Sequence, residues 1–164
     1  MMDTLDRYVG RVSTYLAYAG AALLGLLALL IIVDIVGRVI GTPIRGTVEL
    51  AAMTVASATF LTIPYALRQR GHIRSRIIVS RLPKPLERSL ERFTYLLGAA
   101  IFLYLAYVSW GAAVSAFVSG SYEGEGALRV PTYPTRWLVV IGSVVMASEC
   151  LIASVRAVGS EADG

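Results

Sequence analysis

Residues 34–76 read DIVGRVIGTPIRGTVELAAMTVASATFLTIPYALRQRGHIRSR, and this stretch decides the fold. It begins at the end of one long apolar run, turns at Gly41, Pro43 and Gly46, and continues as a second apolar run into a cluster of arginines. Glycine and proline interrupt helices, so a short turn between two such runs is typical of a membrane hairpin. We predict that the first helix ends near Gly41 and that the second begins at Thr47, whose hydroxyl is suited to cap it.

The rest of the chain repeats this apolar character. Of its 164 residues, 56% are hydrophobic, whereas roughly 45–50% is usual in soluble domains. Four apolar runs cover residues 15–33, 50–67, 93–118 and 137–155, and none of them contains Lys or Arg. A membrane helix needs about 20 apolar residues. Four buried helices of a soluble bundle would carry a polar stripe on their outer faces, and residues 16–33 have none.

We therefore predict an all-α membrane protein whose residues 1–164 form a single four-helix domain. The predicted transmembrane helices cover residues 15–38, 48–67, 90–118 and 137–156. Arg7 and Arg11 precede the first run, as they would in a secretory signal peptide, but that run is too long and lacks a cleavage site. We expect it to stay attached as the first helix.

The net charge of +4 is distributed unevenly between the two sides of this predicted topology. Basic residues of membrane proteins collect in cytoplasmic loops, which explains the positive charge without a nucleic-acid partner. The N-terminus, the central loop and the C-terminus share one side, and that side holds eleven of the fifteen Lys and Arg residues. We predict that both termini are cytoplasmic. The central loop alternates arginines with aliphatic residues, a pattern typical of an amphipathic segment on the membrane surface.

No catalytic or metal-binding pattern is present in the sequence. HExxH, GxSxG and GxxxxGK[ST] motifs do not occur, and the only histidine, His72, has no Cys or His partner at metal-ligand spacing. Cys150 is the single cysteine and cannot form an internal disulfide. We predict no enzymatic activity, no cofactor and no metal ion.

Glu149 is the only residue inside an apolar run that is charged at neutral pH. Such residues are costly in a membrane and are functional candidates by default. A solute pathway usually needs several converging polar groups, and the runs offer this one acid. The alternative role is packing, through hydrogen bonds to a hydroxyl or an arginine on a neighbouring helix, and the sequence favours it.

Three charged residues surround the first turn. Asp34 and Arg38 have the i, i+4 spacing of a same-face ion pair, and Glu49 lies in the first turn of the second helix. We predict a charged clasp that holds the hairpin or docks a partner; the alternative is three solvated interfacial charges.

Small residues recur at helix-packing spacing, as at Ala17, Ala21 and Gly25 in the first run and at Gly111 and Ser115 in the third. In lipid, such faces let helices approach closely. These small-residue faces predict that helices associate. They do not show whether the partner helix lies in this chain or in another one.

Several segments resemble a known family. The Asp34-x-x-x-Arg38 series, TPIRGTVEL at 42–50, YALRQRGHIR at 65–74 and VPTYPTRWLVVIG at 130–142 occur in the order found in the small membrane subunit of TRAP transporters (tripartite ATP-independent periplasmic, DctQ-like). The resemblance extends over nearly the whole chain. One departure is Arg76, which stands where the family often has an acid shortly after the His-x-Arg. A charge pairing involving that acid does not carry over.

The resemblance implies a three-part system in the bacterial inner membrane. A periplasmic binding protein delivers an organic anion, a large multi-span permease subunit moves it with a sodium gradient, and the small subunit packs against the large one among membrane lipids. Taken together, the charge pattern and the resemblance give six structural or subunit-interface candidates: Asp34, Arg38, Glu49, His72, Arg74 and Glu149. Two alternatives stay open, a membrane scaffold or assembly protein unrelated to transport and a small self-sufficient homodimeric carrier.

Overall fold

The computed structural model describes residues 2–70, 84–123 and 130–159. Within them the chain forms helix α1 (Met2–Val39), helix α2 (Thr47–Arg70), helix α3 (Lys84–Ser119), strands β1 (Tyr122–Glu123) and β2 (Val130–Pro131), and helix α4 (Tyr133–Gly159). Each helix contains a segment long and apolar enough to cross a membrane. The predicted all-α, four-helix membrane fold is confirmed.

Helix α1 begins well before the predicted membrane segment. It continues without interruption through 38 residues, which corresponds to a length of about 57 Å. The hydrocarbon core of a bilayer is about 30 Å thick, so α1 extends well beyond it at its N-terminal end. The helix ends where Gly41 adopts a positive φ of 82°, a conformation that side-chain-bearing residues rarely adopt.

The four helices do not pack in their sequence order. Helix α2 lies between α1 and α4, and α4 lies between α2 and α3. In the most apolar 18-residue window of each helix, 44% of the α4 residues are buried, against 11% in α1 and 17% in α3. Helix α4 is therefore the centre of the bundle, and most large side chains of α1 and α3 point outward, where lipid or a partner would meet them.

Glycines mark the closest approaches between neighbouring helices. A Cβ added at Gly20 of α1 would lie 2.7 Å from Thr62 Cγ2 and 3.1 Å from Ala58 O of α2. A Cβ at Gly142 of α4 would overlap the carbonyl oxygen of Phe60 in α2. Pro64 follows Phe60 by four residues and has no N–H to donate to that carbonyl, so Gly142 packs against a backbone oxygen that lacks its helical partner.

The small-residue faces selected from the sequence lie elsewhere. Within the described part of the chain, a Cβ added at Gly25 or Gly111 would meet nothing within 4 Å, and Ala21 and Ser115 are exposed. These positions do not form the contacts inside this bundle.

A small apolar cluster joins three helices near the Arg70 end of α2. Ala99 of α3 packs with Met146 and Cys150 of α4, and Ile63 and Leu67 of α2 lie against them. Cys150 is a free, buried thiol. It serves here as a small packing residue, since a Cβ at Gly98 would lie only 3.3 Å from its sulfur.

At the other end of the bundle, α3 and α4 are joined by a short ribbon that the sequence analysis did not predict. Strands β1 and β2 pair antiparallel, with Tyr122 opposite Pro131. Two edge-to-face aromatic pairs hold the adjoining helix ends together, Trp110 with Trp137 at 5.1 Å between ring centroids and Phe117 with Tyr133 at 5.8 Å.

Candidate functional site

The alternating direction of the helices brings three helix ends to one face of the bundle. The N-terminal end of α1 and the C-terminal ends of α2 and α4 meet there. Five polar side chains at these ends form a network, which we call the three-helix network: Asp6, Ser13, Arg68, Glu149 and Arg156.

Glu149 is the most buried acid of this network, with 4% of its side chain exposed. Its Oε1 accepts a 2.6 Å hydrogen bond from Ser13 Oγ of α1. Arg68 Nη1 of α2 lies 3.2 Å from Oε1 and 3.4 Å from Oε2. The carboxylate therefore has both a hydroxyl and an arginine partner on neighbouring helices, which offsets the cost of its burial.

Arg68 reaches these partners because Gly10 leaves room for it. A Cβ added at Gly10 of α1 would overlap the Arg68 guanidinium. With that space open, Arg68 Nη1 also donates a 3.3 Å hydrogen bond to the Asp6 carbonyl, and Arg68 Nη2 lies 3.4 Å from Asp6 Oδ1. The guanidinium thus links the first two helices to the last.

Asp6 connects the network to the end of α4. Its Oδ1 forms an ion pair with Arg156 Nη2 as well as with Arg68. Half of the Arg156 side chain is exposed, so this outer pair is screened by solvent and contributes less than the buried Arg68–Glu149 contact.

The depth of the network follows from the apolar runs. Ser13 precedes the first run by two residues, and Arg68 directly follows the second. Glu149 lies level with them, about 10 Å along the helix from Arg156. The network therefore lies at one boundary of the apolar layer. Its charged groups are paired with one another across three helices, so the network is suited to holding the ends of these helices together.

A second polar site closes the hairpin between α1 and α2. Arg38 Nε lies 2.9 Å from Asp34 Oδ2, and the backbone N–H of Ile44 donates a 2.8 Å hydrogen bond to Asp34 Oδ1. Thr42 N–H donates to the Gly37 carbonyl at 2.7 Å, and a Cβ at Gly37 would crowd the Thr42 carbonyl. Asp34 thus binds the loop backbone as well as its helical neighbour.

The remaining predicted site residues are not brought to either polar site. Among the described residues, the Glu49 carboxylate forms no hydrogen bond or ion pair. The Thr47 hydroxyl donates to the Ile44 carbonyl at 3.0 Å, which closes the turn before α2. His72 and Arg74 lie outside the described residues, as does Arg76.

The described residues include no group of three His, Cys, Asp or Glu side chains placed to hold a metal ion. The polar chemistry of both sites consists of carboxylates neutralised by arginines, hydroxyls and backbone N–H groups. Such sites position helices and a loop.

Sequence reasoning missed four members of the three-helix network. Asp6, Ser13, Arg68 and Arg156 were not selected as site residues, although the predicted topology already placed their helix ends on one face. That face carries many arginines. The spacing of residues within one helix shows which of them share a side of that helix, but it does not show which arginine of another helix reaches Glu149.

The chain was compared with known families and proteins. The family model described as "Tripartite ATP-independent periplasmic transporters, DctQ component" matches residues 27–159. Comparisons with curated proteins and with solved structures gave no match. The matched range includes the hairpin site, all of α2 and α3, and Glu149 and Arg156 of α4. This multi-pass chain therefore belongs to the DctQ component family and is a small membrane subunit of a tripartite ATP-independent periplasmic transporter.

Proposed function

We propose that this chain is a scaffold for a large permease subunit and does not itself bind the transported solute. In the complete system, a periplasmic binding protein would deliver an organic anion, and the large subunit would move it with a sodium gradient. The family match over residues 27–159 carries this proposal, because it places the chain in a transporter with other components.

We further propose that the chain lies in a bacterial inner membrane with both termini in the cytoplasm. The eleven basic residues on the terminal side of the topology support this orientation, since Lys and Arg concentrate in cytoplasmic segments. The three-helix network would then lie at the cytoplasmic boundary and the Asp34 hairpin at the periplasmic one.

The pairing of the buried acids supports a scaffold role. A sodium ion requires oxygen atoms that are free to bind it, usually near the middle of the membrane. Glu149 is bound by Ser13 and Arg68, and Asp34 is bound by Arg38 and the Ile44 N–H. Both carboxylates are thus already neutralised by internal partners.

Reconstitution in liposomes tests this division of labour. The purified chain alone should give no sodium-driven uptake of organic acids, whereas the chain together with its large subunit and a solute-loaded binding protein should. Glu149→Gln should leave the solute preference and the sodium dependence of the complex unchanged, because the proposed role of the carboxylate is structural.

Three outcomes would contradict the scaffold proposal. Saturable uptake by the chain alone would support the self-sufficient carrier, and a changed sodium coupling ratio in Glu149→Gln would place the ion pathway within these four helices. Failure to associate with any large permease would favour a scaffold unrelated to transport. The ratio of sodium ions to solute must be measured on the complex. A less stable complex would lower the rate of uptake but would leave this ratio unchanged.

A further inference from the structure

A basic cleft runs along the N-terminal part of α1, beside the end of α2. It has a volume of about 450 Å³, is open to the outside, and is lined by Arg7, Gly10, Arg11, Thr14, Tyr15, Tyr18 and Arg68. Positions 7, 11, 14 and 18 follow the i, i+4, i+7 spacing, so they form one stripe along α1. The stripe passes from two arginines through the Thr14 hydroxyl to the ring of Tyr18, and Tyr15 lies beside it.

The cleft spans the boundary between the headgroups and the hydrocarbon. The apolar run of α1 starts at Tyr15, so Arg11 lies about 6 Å and Arg7 about 12 Å outside it along the helix. The headgroup layer is roughly 5–8 Å thick on each side of the hydrocarbon core, and arginine side chains extend to reach it. Arg68 directly follows the apolar run of α2 and lies at the same level.

Within the described part of the chain, two of the three arginines of this cleft have no acidic partner. Arg7 and Arg11 are exposed and form no ion pair with any carboxylate among the described residues. The two neighbouring acids, Asp6 and Glu149, are already paired with Arg68 and Arg156. Arg68 is held in place by that network while its side chain remains 28% exposed. As far as residues 2–70, 84–123 and 130–159 show, the cleft therefore offers two unpaired guanidinium groups beside a fixed third.

We propose that this cleft binds the phosphate headgroup of an anionic phospholipid. Arg7 and Arg11 would donate charge-assisted hydrogen bonds to the phosphate, and Tyr15 and Tyr18 would lie along the glycerol and the first carbons of the acyl chains. Basic pockets of membrane proteins at this depth suit such headgroups, and the cleft is open enough for a lipid to enter. A free phosphate would use the arginines but not the tyrosines.

Native mass spectrometry of the purified full-length chain in detergent tests the proposal. The chain would be titrated with phosphatidylglycerol, with phosphatidylcholine of the same acyl chains, and with glycerol 3-phosphate. We expect one phosphatidylglycerol to be retained in preference to phosphatidylcholine and weak binding of glycerol 3-phosphate. Arg7→Gln and Arg11→Gln should each weaken phosphatidylglycerol binding about fivefold, and the double variant about 30-fold.

A matched control separates this cleft from general surface charge. Arg45→Gln with Arg92→Gln removes two exposed arginines outside the cleft and should leave binding within about twofold of the wild type. Equal weakening in both double variants would show diffuse attraction and overturn the proposal. So would equal retention of the two lipids, or glycerol 3-phosphate binding as tightly as the lipid. Unchanged helicity of each variant by circular dichroism excludes unfolding as the cause.

Discussion

Ser13 and Glu149 lie 136 positions apart in the sequence and meet inside the bundle, where Ser13 Oγ donates a 2.6 Å hydrogen bond to Glu149 Oε1. Arg68 of a third helix shares the same carboxylate. Because α1, α2 and α4 each contribute one of these groups, the contact joins the first and last helices directly at one boundary of the membrane.

Replacing Glu149 by Gln should destabilise the chain by about 1–3 kcal/mol, because Arg68 loses a buried, charged hydrogen-bond partner. The measurement is the free energy of unfolding in detergent micelles. Glu49→Gln is the control, since Glu49 has no such partner among the described residues. Adding Arg68→Gln to Glu149→Gln should cost less than the sum of the two single changes, because no unpaired charge then remains. Strict additivity would contradict a direct Arg68–Glu149 interaction.

The hairpin should depend on Asp34 more than on Arg38. Asp34 has only 7% of its side chain exposed and binds both Arg38 and the loop backbone, whereas the Arg38 side chain is 60% exposed. The ion pair is screened by solvent at the exposed Arg38 side chain, whereas the Ile44 N–H donates to a better shielded charged carboxylate and should contribute more to stability. Asp34→Ala should therefore lower the unfolding free energy by more than Arg38→Ala. Equal losses would show that the Ile44 contact contributes nothing.

Docking of Arg38 to a partner is a separate prediction. If its exposed guanidinium contacts the large subunit, Arg38→Glu should reduce the yield of co-purified complex while the isolated chain unfolds almost as the wild type does. Arg45→Glu, an exposed arginine of the same turn, is the matched control. Similar yields for both variants would indicate that Arg38 is only a solvated interfacial charge.

Alanine at Gly142 should destabilise the α2–α4 contact by about 1–3 kcal/mol, because the added methyl group would overlap the Phe60 carbonyl. Gly111→Ala is the control within a helix, since a Cβ there meets nothing within 4 Å. That change should be neutral or stabilising by up to about 1 kcal/mol, because alanine favours a helix more than glycine does. The free energy of unfolding in detergent is measured for both variants. If Gly111→Ala were more destabilising than Gly142→Ala, the close contact between Gly142 and Phe60 would be refuted.

The orientation is tested by thiol labelling on intact cells. In a Cys150→Ala background, a Ser121→Cys chain should react with a membrane-impermeant reagent, and a Ser75→Cys chain only after permeabilisation. Alanine is preferred at position 150 because the thiol lies in an apolar cluster. Reaction of Ser75→Cys on intact cells would overturn the cytoplasmic placement of the central loop.

Much of the fold could be predicted because the signals are local. The length of each apolar run determines whether it can span a bilayer, and Gly41 and Pro43 interrupt the helix wherever the rest of the chain lies. The Asp34–Arg38 pair was predicted for the same reason, since i, i+4 residues of one helix are neighbours by geometry. The hydrogen bond from Ile44 to Asp34 was not predicted, because it depends on how the loop folds back.

The lateral order of the helices and the partners of Glu149 required the tertiary structure. Lipid and the interior of a membrane bundle are equally apolar, so a helix with apolar residues all round carries no pattern that tells which face turns inward. Gly25 and Gly111 had the same local character as Gly20 and Gly142, yet only the latter two meet another helix closely. The sequence by itself determined four membrane helices, a tight first turn and the family. Only the rotation of each helix about its axis decided that Ser13, Arg68 and Glu149 face one another, because that rotation is set by packing between helices.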